Sequence, residues 1–448
     1  MRQQRGLSTR LAKRTRLTVA AILAVLLAAA AHAQISLSTA VDLAENSSPA
    51  VRASLAEVRR ATAALAETKD IYIPNLVLGG SPGYAYGFPL GYPSLVNANS
   101  GSLVFSFSEP DYIRAAQAAL RAARLSLKDT QQQVALDVSL DYIELNHDLS
   151  EIAVLDEEKG YADELVNIEQ QRVLAGVDSQ LNELQAELTS AQVAEKRIHF
   201  QNDADEMRDK LGHLTGLPAT GLTTDSASVP PAPNINAEAN DRMASNTPDT
   251  SAAYANAQSR FYTAFGDKRQ NLRPLIQFGA SYSLFAKFNN YTQYFRSFQS
   301  NNAEIGFIVS LPVFDAVRRA HAKGSLADAL HAQAQADQSR DILAEQTDAM
   351  RRSLLEMSAQ QRVASLRSQL AQAQLQTVET QLINGTGSAN AQPVTPKQAQ
   401  QAHIEERERY EDSLDAGFSL MKLELNLLRS TGQILDWVAS ASTGATVH

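Results

Sequence analysis

Two hydrophobic rhythms alternate along the chain. A period of two governs four segments: residues 75–88, 101–108, 275–288 and 303–311. In the clearest, Ile276, Phe278, Ala280, Tyr282, Leu284, Ala286 and Phe288 share one parity, while Gln277, Gly279, Ser281, Ser283 and Lys287 hold most of the other. That alternation predicts a strand with one apolar and one wet face. The same reading puts Leu76, Leu78, Tyr84, Tyr86 and Phe88 on one face of the first strand and Leu103, Phe105 and Phe107 on one face of the second. Ile305, Phe307, Val309 and Leu311 share a face of the fourth. The loops 89–100 and 289–302 then join the strands in pairs.

Elsewhere the spacing becomes helical. Residues 111–172 hold no proline and a single glycine, Gly160. At ~1.5 Å per residue this stretch is roughly 93 Å long if it forms one helix. Ile113, Leu120, Leu127 and Val134 recur every seven residues, with Ala116, Ala123 and Thr130 between them. Leu181, Leu184 and Leu188, then Met207, Leu211 and Leu214, continue the 3–4 step. Val363, Leu366 and Leu370, and Leu414, Phe418, Met421, Leu425 and Leu428, repeat it later. These are coiled-coil seams, and they predict two long helical hairpins. Their tips fall near Gly176 and near residues 384–396.

The order of elements occurs twice. Ser48-Pro49 and Thr247-Pro248 each set a capping hydroxyl before a proline at a first helical position. Pro74 and Pro274 close those helices. The strand pairs end at Pro110-Asp111 and at Pro312 with Phe314-Asp315, and the two aspartates are expected to cap the long helices and complement their dipoles. The halves finish on Leu214-Thr215-Gly216 and Thr431-Gly432. Matched landmarks in one order indicate a duplication. The domain division is 34–216, a joining segment 217–240, 241–438, and a tail 439–448. The proline-bearing joining segment is either a plain linker or an extended segment packed around the middle of the assembly.

Residues 1–33 form a leader. Six basic residues precede an apolar run from Leu17 to Ala30, broken only by Thr18, and Ala31-His32-Ala33 is a small-x-small cleavage site. Losing the leader lowers the basic count from 40 to 34 against 49 acids, a net charge of −15. Such an exported, acidic chain is a poor nucleic-acid binder. There is no cysteine, which excludes disulfides and a lipid-bearing N-terminal cysteine.

Aromatics crowd the strand regions: 17 of 28 lie in residues 71–108 and 274–314, as interfacial girdles of a membrane barrel, or the half-buried sheet of a soluble sandwich, would produce. Four strands cannot close such a barrel, and an open edge in lipid leaves backbone groups unpaired. Copies of the chain must pool their strands.

No catalytic constellation, metal site or cofactor site is assigned. Gly79-Gly80-Ser81-Pro82-Gly83 matches a nucleophile-elbow pattern, but it lies in an alternating strand region with proline where a helix should begin. The histidines are scattered and read as surface or seam residues. The charged run Glu405 to Arg409 reads as a solvated helix face or as part of interhelical ion pairs.

Taken in order, these residues resemble the TolC family of outer-membrane channel proteins. The resemblance rests on Pro312-Val313-Phe314-Asp315, on Gly176-Val177-Asp178-Ser179 followed by Leu184 and Ala186, and on the duplication itself. It implies a mainly α fold with β: a homotrimer sharing one twelve-stranded barrel in the outer membrane, with coiled-coil hairpins forming a periplasmic α-barrel. It implies export as the passive duct of an efflux or type I secretion system, with a periplasmic adaptor protein and an inner-membrane pump as partners. Gly176, Val177, Ser179, Gly385 and Thr386 would then contact the adaptor. At the periplasmic entrance, Gln398 and Gln401 stand where some relatives carry acids. The rival readings are a non-conducting structural or adhesive coiled-coil envelope protein and an exported enzyme.

Overall fold

A computed structural model describes residues 34–80, 94–231, 247–271, 273–285, 299–385 and 394–444. Residues 1–33, read as a leader, residues 81–93 with Tyr84, Tyr86 and Phe88, the segment 232–246, residues 286–298 with Ala286, Lys287 and Phe288, and Thr386 lie outside them.

The first half begins with a short strand β1 (Gln34–Ile35), α1 (Leu37–Ser47) and α2 (Pro49–Asp70). Ser48 caps α2 and Pro49 opens it. Strands β2 (Asn75–Gly79) and β3 (Ser94–Ser106) follow, then the long α3 (Glu109–Leu174) and α4 (Gln180–Thr215). After β4 (Thr223–Thr224), the second half repeats the plan with α5 (Pro248–Gln270), β5 (Leu275–Phe285), β6 (Asn301–Ser310), α6 (Ala316–Asn384) and α7 (Pro396–Ser430). Thr247 caps α5 as Ser48 caps α2. A last helix, α8 (Ile434–Gly444), runs into the stretch read as a tail. Gly216 and Gly432 end α4 and α7 at positive φ, where a Cβ would be strained.

The strands form one antiparallel sheet in the order β2-β3-β5-β6, so β2 and β6 are open edges. Strand β3 begins at Ser94, inside the predicted loop. Its Ser- and Asn-rich start has little strand preference of its own, and pairing with β2 and β5 on its two sides overrides that. A second correction concerns Leu103 and Phe105. A register shift lies between them, so Leu103 pairs with Gln277 and Phe105 with Ile276. The bulge therefore sends them to opposite faces, and Leu103 is buried.

Register sorts the whole sheet. Ile276 faces Val309, Phe278 faces Phe307 and Ala280 faces Ile305 on one face, with the Phe278 and Phe307 rings 5.9 Å apart. Asn99, Gln277, Gly279, Ser281 and Glu304 hold the other face. One face is thus apolar along β5 and β6, and the other is mostly polar, with Leu275 and Ile308 among its polar positions.

The helices form a layer. α3 packs against α4 and α7, and α6 packs on the far side of α7. Cross-links fix antiparallel registers: Arg197 to Asp156 between α4 and α3, and Arg429 to Asp129 and Arg407 to Glu157 between α7 and α3. Near the sheet, α5 fills the space between α3 and α6.

The main apolar core lies at mid-length, where Leu37, Val41, Leu136, Leu145, Leu211, Leu425 and Ile434 converge. Tyr142 stands fully buried there. Its hydroxyl donates to the Ile35 carbonyl and accepts from the Asp225 N–H, both at 2.7 Å. Together with the parallel pairing of β1 and β4 and the burial of Leu222, this holds the described part of the joining segment against the core.

Helix α5 meets α3 at Gly266, where a Cβ would stand 2.6 Å from Tyr112 Cε1. The ring cannot withdraw freely, because its hydroxyl donates to Asp267 at 2.7 Å, and Asp267 also accepts from Ser325 of α6. Gly266→Ala is expected to destabilise the fold by about 1–3 kcal/mol through overpacking, read as a lowered thermal midpoint.

Candidate functional site at the open edges and the helical wall

The predicted junction residues lie where sheet turns into helix. Asp315 is the N-cap of α6, accepting from the Arg318 N–H at 2.9 Å. Asp111 does not cap, but it stands in the first turn, where a carboxylate complements the helix dipole. Ser108 occupies the N-cap position of α3, without a capping bond from its side chain, and Pro110 and Asp111 lie within the first turn. Asp111 is buried and ion-paired to Arg114 at 3.3 Å and to Arg269 of α5 at 2.8 Å. It joins two helices; the sequence spacing could not show Arg269 arriving from 158 residues away. Pro312 is half-buried, and Phe314 is exposed with Arg319 over its ring at 5.1 Å.

At the far end, Gly176 takes φ +70° in the turn between α3 and α4, flanked by exposed Val177 and by Ser179 at the N-cap position of α4. Gly385 takes φ +77° as it ends α6. Gln398 and Gln401 are exposed on the first turns of α7. Gln398 has a local role as well: with Thr395 it forms a capping box, its Oε1 accepting from the Thr395 N–H at 2.9 Å. Lys397 reaches back to buried Glu169 on α3 at 2.5 Å and lies 3.7 Å from Asp178 in the first tip. Arg172 binds Asp178 at 2.6 Å and holds its carboxyl below the usual range.

The two outer helices carry unpartnered apolar stripes. Leu181, Leu184 and Leu188 on α4 are more than half exposed; Val363, Leu366 and Leu370 on α6 are close to or above that. Among the described residues these seam side chains are about half covered or less. The layer ends on α4 at one side and α6 at the other, as the sheet ends on β2 and β6.

Between α3, α4 and α7 lies a buried acidic cluster that the sequence reading missed. Glu158 faces Glu411 and Glu408 of α7 and Lys196 of α4, which is 3.4 Å from Glu411. Burial, then the Glu411 carboxyl, pushes the Glu158 carboxyl up. About two and three turns away along α3, burial raises Glu151 to about 7 and Asp148 to about 6. The only sequence signal was the i, i+4 pair His147 and Glu151. Their partner Asp415 lies 264 residues beyond Glu151.

This cluster makes stability depend on pH. Around the unfolded carboxylate range near ~4.3, Glu158 begins to ionise in the unfolded chain but stays protonated in the native one. Stability therefore falls as pH rises above that range, until the native carboxyl ionises too. The thermal midpoint is expected to drop between pH 5 and pH 9, and Glu158→Gln to flatten that drop.

Among the described residues, Ser325, His321 and Asp267 come together, but Asp267 accepts from the serine and does not orient the histidine. This lacks the order of a nucleophilic triad. No helix of the described residues is long and apolar enough to cross a membrane.

Residues 98–217 match the family profile of the outer membrane efflux proteins. No curated protein matches the chain. Solved structures share its fold over nearly its whole length. The outer-membrane channel OprN is 18% identical with a TM-score of 0.71, covering 89% of this chain and 90% of its own. CusC, a protein that forms a transmembrane channel, is 14% identical with a TM-score of 0.72, covering 89% and 92%. The outer membrane protein VceC from Vibrio cholerae is 16% identical with a TM-score of 0.68, covering 88% and 96%.

Proposed function

We propose, from the efflux-protein profile and a fold shared with outer-membrane channels, that three copies of this chain form a passive exit duct across the outer membrane. The observation that carries the reading is a coincidence of open edges. In one chain the sheet leaves β2 and β6 unpaired and the helical layer leaves α4 and α6 with bare leucine stripes. Joining β6 and α6 of one copy to β2 and α4 of the next answers both needs at once. Three copies give a twelve-stranded barrel, wide enough for a water-filled bore.

The two faces of the sheet fit this use. The face with Ile276, Phe278, Ile305, Phe307 and Val309 would meet lipid. The face with Asn99, Gln277, Gly279, Ser281 and Glu304 would line water. The long helices would continue the bore into the periplasm, with Gly176, Val177, Ser179, Gly385 and Thr386 presented to a periplasmic adaptor and an inner-membrane pump. Gln398 and Gln401 would narrow the entrance without binding cations strongly. No chemistry is assigned to the duct. The leader would direct the chain to the periplasm.

The test is conduction. Purified protein should run as a heat-modifiable trimer, fractionate with outer membranes and give discrete ion currents in planar bilayers. A trimer that inserts nowhere and carries no current would support the non-conducting envelope protein instead.

A further inference from the structure

We propose that His147, Glu151 and Asp415 form a binding site for a divalent cation of the zinc class, held between α3 and α7. One donor atom from each residue lies within 4.8 Å of the other two. Nε2 of His147 is 3.0 Å from Asp415 Oδ1, and Glu151 Oε1 lies 3.9 Å from the other ring nitrogen, so an ion held on one nitrogen draws one of the carboxylates round to it. Glu151 is 1% exposed, and this same Oε1 has no hydrogen-bond partner. A buried carboxylate oxygen without a donor is unfavourable, and a cation at the centre of the three groups satisfies it.

The surroundings support an ion. The His147 ring is stacked on Phe418 of α7, with centroids 4.5 Å apart and planes 4° apart, and meets the edge of Phe200 of α4. Its direction is therefore set before any ligand arrives. Glu151 stands one turn further along the same face of α3, a spacing that lets two side chains of one helix share an ion. Asp415 is 62% exposed, which gives an ion a path from solvent.

One imidazole and two carboxylates suit a borderline divalent ion such as zinc. A tetrahedral zinc with bonds of ~2.1 Å holds its donors roughly 3.4 Å apart, so His147 and Asp415 part slightly, the widest-set donors, now within 4.8 Å, close by about an ångström, and water takes the fourth position. The bound ion would staple the first hairpin to the return helix of the second. The site does not rest on the channel reading, and its test needs no current.

The experiment uses the full mature chain, purified in detergent, stripped with a chelator and dialysed against zinc. One zinc per chain is expected, with a raised thermal midpoint and, with cobalt substituted, the strong visible bands of a four-coordinate site. His147→Ala and Asp415→Asn should each weaken zinc binding roughly tenfold or more and abolish those bands. Asp415→Asn changes an exposed residue, so it decides the matter if the histidine variant fails to fold. No retained zinc, or equal retention by wild type and Asp415→Asn, overturns the site.

Discussion

Phe307→Arg is expected to keep the chain from assembling in the outer membrane, while Ser281→Arg, on the neighbouring strand, leaves assembly intact. Both positions lie near the middle of the sheet. Phe307 pairs with Phe278 on the apolar face, and Ser281 pairs with Glu304 on the wet face. A guanidinium at the lipid face of a membrane barrel costs about 2–4 kcal/mol near the midplane. Three copies carry the same change, so a trimeric barrel loses roughly 6–12 kcal/mol. On the wet face an arginine finds water and a carboxylate directly across the strand pair. Heat-modifiable trimer bands in outer-membrane fractions read both outcomes. If the two variants behave alike, the division of the sheet into lipid and water faces is wrong. If Phe307→Arg assembles normally, the sheet does not lie in lipid.

The second result concerns the far end. Lys397→Met is expected to destabilise the hairpin tips and raise the single-channel conductance. Glu169 is almost wholly buried, and the Lys397 ammonium at 2.5 Å is the cation that compensates it. Removing one partner of a buried ion pair typically destabilises by about 3–5 kcal/mol, because the other charge is left buried alone. The same ammonium faces Asp178, which Arg172 also holds, so the contact ties the first tip to the opening turn of α7. In the proposed duct, releasing it would free the helices at this end to move apart as rigid bodies. Lys397→Arg keeps a cation and should restore most of the wild-type behaviour. Planar-bilayer recordings and thermal unfolding of the three proteins check this. Lower stability with unchanged conductance would break the link between this ion pair and opening.

Local signals were strong wherever they depended on near neighbours. Alternation announced β5 and β6, because a strand shows its two faces residue by residue. Prolines preceded by Ser48 and Thr247 marked helix starts, and Gly176, Gly216, Gly385 and Gly432 marked their ends. Those are steric and hydrogen-bonding rules that act within a few residues. That the sheet would be left open was legible as well, because four strands cannot close on themselves.

Contacts between distant segments were not legible. Asp111 reads as a cap in sequence, yet Arg269 makes it a clamp between helices. Leu103 and Phe105 share a parity, but one bulge sends them to opposite faces. The leucines of residues 181–188 and 363–370 carry the same seam rhythm as Leu425 and Leu428, though only the latter pair is buried within the chain. The acids around Glu158 look like a solvated helix face until α4 and α7 close over them. Periodicity states which side of an element is apolar; packing between elements far apart in the chain chooses what that side meets, and with it which charges must live without water.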